Sequence, residues 1–171
     1  ATFTGSYTNS GTLTVGTALT VTGVTLTNNG TITASTALSG TGGLTQGATG
    51  ILNLGGTSGI VTLTATAVGN TVNYTGSSQT LKVTAYHHLN LSGAGGTFGA
   101  ITTVAGNLTL SGTATATTAA NLAIGGNLSI GNGTTFTAAG YNLTVTGTTT
   151  VGGGTSGSLI ISSATGTNIF T

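Results

Sequence analysis

Asp and Glu are absent from this chain of 171 residues, and Lys82 is its only Lys or Arg. General acid–base catalysis, activated nucleophiles and oxygen-ligated cations draw on Asp, Glu, His, Lys or Cys. Apart from Lys82, only His87 and His88 supply such groups, so the sequence assigns no catalytic residue, no cofactor and no metal, and the expected protein is not an enzyme. Cleavage of polysaccharide on a β-helix would need paired carboxylates or a carboxylate-bound cation. Nucleic-acid binding would need a basic face to replace phosphate counterions. A formal net charge of +1 instead favours association. With no Asp or Glu side chain to titrate, stability is expected to be nearly flat in pH through the acid range.

Cysteine, methionine, tryptophan and proline are also absent. No disulfide framework or thiolate site can form, and nothing removes a ladder hydrogen bond from a strand. A chain that opens Ala1-Thr2-Phe3-Thr4 is expected to be a mature product of signal-peptide cleavage or a segment of a longer polypeptide. No apolar run approaches the ~20 residues of a membrane helix. The expected location is extracellular, at a cell surface.

Against these absences stand 37% hydrophobic residues, a mean hydropathy of +0.41 and 32 glycines. Disordered chains pair low hydrophobicity with high net charge, and this one has neither. It reads as short alternations of aliphatic and small polar residues closed by Gly or Asn, which is the pattern of strands and turns. Leu13-Thr14-Val15, Leu19-Thr20-Val21, Leu52-Asn53-Leu54, Val61-Thr62-Leu63, Val72-Asn73-Tyr74 and Leu81-Lys82-Val83 each place two apolar side chains on one face. Phe3, Tyr7, Tyr74, Tyr86, Phe98, Phe136, Tyr141 and Phe170 are scattered, as core or stacked aromatics are, with no cluster that would make a binding platform.

The later sequence repeats itself. His88-Leu89-Asn90-Leu91, Asn107-Leu108-Thr109-Leu110, Asn127-Leu128-Ser129-Ile130 and Asn142-Leu143-Thr144-Val145 share one pattern, with an imperfect copy at Asn121-Leu122-Ala123-Ile124 and a further one at Ser158-Leu159-Ile160-Ile161. The motif recurs after roughly 15 to 20 residues, which suits one coil of a solenoid whose neighbouring units bury each other's apolar faces. The expected fold is therefore all-β, a single continuous parallel β-solenoid over residues 1–171, clearest in its repeats over 70–161. A β-sandwich is the alternative, but its hairpins want two-residue Asn-Gly or Asp-Gly loops, and only Asn29-Gly30 and Asn132-Gly133 qualify.

Within the motif Leu89, Leu91, Leu108, Leu110, Leu128, Ile130, Leu143 and Val145 are expected to point inward and the residue between each pair outward. Asn107, Asn127 and Asn142, with His88 at the equivalent place, are assigned to an inward corner ladder hydrogen-bonded along the axis. His87 and His88 are neighbours on a strand and so face opposite ways, which argues against one shared metal. Lys82 is expected to face water. Asn-x-Ser/Thr sequons abound because Ser and Thr do. If the ladder residues are set aside, Asn29, Asn73, Asn90 and Asn132 remain as candidate glycosylation sites.

Asn70-Thr71-Val72-Asn73-Tyr74-Thr75-Gly76, then Gln79-Thr80-Leu81, Tyr86 and Leu89-Asn90-Leu91-Ser92-Gly93 follow one another in a way that resembles the repeats of giant secreted bacterial surface proteins of the adhesin and fibre type. The resemblance covers residues 70 to 147. It implies an extracellular β-solenoid. Such repeats often carry Lys where Thr97 stands here. The function expected from all this is a structural subunit of an extracellular filament or adhesin stalk, with itself as partner, joined head to tail as Asn168-Ile169-Phe170-Thr171 runs on into Ala1-Thr2-Phe3-Thr4. No membrane span is implied, and no surface or glycan receptor is identified. Thr-x-Thr runs such as Thr31-Ile32-Thr33, Thr62-Leu63-Thr64-Ala65-Thr66 and Thr113-Ala114-Thr115-Ala116-Thr117 suggest an alternative, ice binding, although they fall at irregular intervals along the chain.

Overall fold

Strands of two to four residues, separated by short turns rich in glycine, serine, threonine and alanine, cannot bury an apolar face alone, and here they do so by coiling. The computed structural model describes residues 1–154, 156–162 and 165–171; among these there is no helix. Every pair of strands is parallel, so the sandwich alternative is excluded. The chain is a parallel β-solenoid of about eight coils.

The first four coils have three faces each, visited in a fixed order. The third face is one sheet of eight strands, Thr12–Val15, Thr31–Ala34, Ile51–Leu54, Thr71–Tyr74, His88–Leu91, Leu108–Leu110, Leu128–Ile130 and Thr149–Val151, stacked in chain order. On this face the register steps by 19 residues from Thr12 to Thr31, by 17 from Thr71 to His88 and by 21 from Leu128 to Thr149. On the second face the last step, from Leu143 to Asn168, is 25. Coil length varies because the extra residues go into the corners while the strands keep their pairing.

The other two faces are interrupted in the fifth coil. Single bridges from Ala65 to Tyr86 and from Tyr86 to Val104 carry the second face across the gap, and Gln79 sends its amide back to the carbonyls of Leu54 and Gly56.

Inside runs one apolar column after another: Leu52, Val72, Leu89, Leu108 and Leu128 lie in register and are buried, as are Leu54, Tyr74, Leu91, Leu110 and Ile130. Leu143 and Val145 are buried on the second face. Two of the anticipated strands differ. Val61 is exposed because Ile60 takes the inward place at the corner and the strand starts at Thr62. Leu81-Lys82-Val83 forms no strand: Leu81 turns inward, Val83 outward, and the step of 17 residues from Thr71 to His88 is too short for three regular strands.

Candidate functional site

Because parallel in-register stacking repeats each position once per coil, side chains collect into axial columns, and the functional features of this molecule are columns. The most buried one was not anticipated. Asn9, Asn28 and Gln46 point inward; Asn9 Nδ2 donates to Asn28 Oδ1 at 2.8 Å and Asn28 Nδ2 to Gln46 Oε1 at 2.7 Å. Each amide also reaches a backbone carbonyl one coil ahead, Asn9 that of Thr31 and Asn28 that of Ile51, so the corner satisfies polar groups that would otherwise each cost about 1–3 kcal/mol. The spacing of Asn9 and Asn28, each followed two residues later by glycine, was the available signal.

A second amide column lies on the outer surface of the third face. Asn53 donates to Thr33 Oγ1 at 3.1 Å, Asn73 to Asn53 at 2.7 Å and Asn90 to Asn73 at 2.8 Å. Of the candidate glycosylation sites, Asn73 and Asn90 therefore sit half-buried within a ladder, while Asn29 and Asn132 are exposed at corners.

The residues assigned to one corner ladder divide between two. His88 Nδ1 accepts from the Asn107 amide at 2.9 Å, Asn107 Oδ1 from the Asn127 amide at 2.9 Å and Asn127 Oδ1 from the Thr148 amide at 2.9 Å. Asn142 belongs elsewhere: its amide donates to Asn121 Oδ1 at 2.9 Å and its own Oδ1 accepts from Thr167 at 2.6 Å, at the entrance to the second face. Nor do these side chains point inward. Asn127 and Asn142 are exposed and Asn107 is half-buried, since the following leucine takes the inward place and the amide folds over the rim to meet the next coil's N–H.

His87 and His88 do not face opposite ways as strand alternation predicts: the strand begins at His88, and His87 belongs to the corner before it. The two rings pack edge to face with centroids 4.2 Å apart, while His87 Nδ1 accepts from the Gly69 amide at 3.1 Å. Both rings thus use Nδ1 as acceptor, which places the proton of each neutral ring on Nε2. A histidine that binds metal through one nitrogen donates the other N–H, so this tautomer is wrong for a ligand. Burial, followed by the neighbouring His87, lowers the pKa of His88.

On the outer surface of the second face, Thr8, Thr27, Thr45 and Thr64 form an unbroken column. Beside it Thr25, Gly43 and Thr62 align, and Gly43 lies in a shallow hollow of about 330 Å³ that Val24, Thr25, Thr41, Thr45 and Thr62 also line. No group of three His, Cys, Asp or Glu side chains converges among the described residues, and no helix there is long and apolar enough to cross a membrane. Compared with protein-family models, with curated proteins and with solved structures, the chain matches none.

Proposed function

We propose that the chain is a non-enzymatic structural section of an extracellular filament or adhesin stalk, made of self-associating β-solenoid rods of the kind found in giant secreted bacterial surface proteins. The observation that carries this reading is the unbroken eight-stranded parallel sheet of a solenoid built from a chain with one Lys or Arg and no Asp or Glu. A surface with so little charge favours association, and head-to-tail contact of such rods propagates without closing. Eight coils at about 4.8 Å each make a rod on the order of 40 Å long. Sedimentation velocity with negative-stain images tests the reading: it expects rods that lengthen with concentration, and a monomer at every concentration rejects self-association.

A second reading, ice binding, has its own observation. The irregular sequence spacing of the threonines disappears in the fold, because unequal coils bring Thr8, Thr27, Thr45 and Thr64 into one column beside Thr25 and Thr62. The runs noticed in the sequence do not share a face, however: Thr31 and Thr33 lie on the third, Thr62 and Thr64 on the second, and Thr115 and Thr117 on a separate sheet. Thermal hysteresis separates the readings, since a purely structural rod shows none. Gly43→Thr sharpens the test: its Cβ would lie 3.5 Å from that of Thr62, an ordinary contact, completing the array and raising any hysteresis present.

A further inference from the structure

The residue just before each third-face strand, or its register equivalent, forms a corner column of Gly11, Gly30, Gly50, Asn70, His87, Gly106 and Gly126. Glycine is favoured there by close approach: a Cβ on Gly30 would lie 2.1 Å from the Gly11 carbonyl oxygen. Asn70 and His87 interrupt the run, His88 stands beside His87, and the two rings lie over the next glycine; a Cβ on Gly106 would be 2.6 Å from His88 Nδ1 and 3.0 Å from His87 Cε1. The pair therefore bridges three coils. His87 receives the Gly69 amide from the coil before, and His88 the Asn107 amide from the coil after.

We propose that the His88 corner, with His87 packed against it, is a proton-operated seam, closed while His88 is neutral and opened when it takes a proton. Each Nδ1 holds its backbone amide through a lone pair. When the His88 lone pair takes a proton from solvent the nitrogen becomes a donor, the hydrogen bond from the Asn107 amide is lost, and a cation is created against the His87 ring at a separation of 4.2 Å. Nothing nearby compensates. The chain has no Asp or Glu, Lys82 is a cation, and the phenols of Tyr74 and Tyr86 face each other and the Lys82 backbone inside the coil. The remaining corners of this series use Asn107 and Asn127 as acceptors, which do not titrate, so acid acts on this corner alone.

Amide exchange on the full chain, corrected for intrinsic rates and compared at about pH 7.5 and about pH 5 on either side of the usual histidine pKa, tests the seam. Asn107 is expected to lose protection by about tenfold or more in acid, while Asn127 and Thr148 keep theirs. In His88→Asn, whose Oδ1 can accept as Asn107 does, the Asn107 amide is expected to stay protected at both values. Equal protection of Asn107 at both pH values in the unaltered chain, or an acid loss that persists in His88→Asn, overturns the proposal. Should that variant not fold, imidazole ¹⁵N shifts of the unaltered chain decide: unprotonated Nδ1 on His88 in the neutral sample supports it, and Nδ1–H there contradicts it.

Discussion

The hydroxyls of Tyr74 and Tyr86 meet 3.0 Å apart inside the solenoid, and between them they hold the backbone of Lys82. Tyr74 Oη accepts from the Lys82 amide at 3.0 Å and Tyr86 Oη donates to its carbonyl at 2.5 Å. Burial raises the pKa of both phenols, which keeps them neutral donors and acceptors. The pair replaces the neighbouring strand that Lys82 lacks, since the fifth coil has no strand there.

Removing one hydroxyl should expose that loop. Tyr86→Phe leaves the Lys82 carbonyl without its partner and is expected to cost about 1–3 kcal/mol. Lys82 is the only Lys or Arg of the chain, so trypsin digestion reads its accessibility directly: slow single-site cleavage in the unaltered chain, faster cleavage in the variant.

Leu110 is fully buried between Leu91 and Ile130, and Thr109 beside it is half-buried on the outer surface. Leu110→Ala is expected to cost about 2–5 kcal/mol and Thr109→Ala within about 0.5 kcal/mol in urea unfolding. Equal costs would contradict the register.

The fold was legible because apolar alternation and the Asn-Leu-x-Leu repeat report the two inward positions of a strand. The corner assignments were less so. Asn127 to Asn142 looked like a short repeat of the same position, yet Asn127 precedes a third-face strand and Asn142 the following second-face strand, because both corners demand the same chemistry. The inner column of Asn9, Asn28 and Gln46 escaped notice since its members differ in type and sit in strand-end positions where an outward polar residue is the usual expectation. Bonding between the two tyrosines depends on a loop of irregular length, which no periodicity encodes.

Asn28 donates to Gln46 and the Ile51 carbonyl and accepts from Asn9, so Asn28→Ala strands several buried groups at once and is expected to cost more than about 2 kcal/mol. Asn53→Ala, in the half-buried outer ladder, is expected to cost about 0.5–1.5 kcal/mol. Paired denaturation curves check the ranking.

Stability should carry one acid step. The folded pKa of His88 lies below its ordinary value, so the folded state binds fewer protons than the unfolded one. The full stability is present above about pH 6.5 and is lost as pH falls through the lower folded value. With no Asp or Glu side chain, little further loss should follow down to about pH 3. Melting temperatures across this range check it, and His88→Asn should diminish the step.

The central claim is that these coils stack into a continuous rod, and X-ray diffraction from an oriented, concentrated sample tests it most directly. Strands that run around the rod and pair along its axis predict a sharp meridional reflection at about 4.8 Å, with rods longer than a single subunit. An isotropic pattern from material that stays monomeric at the same concentration would contradict it.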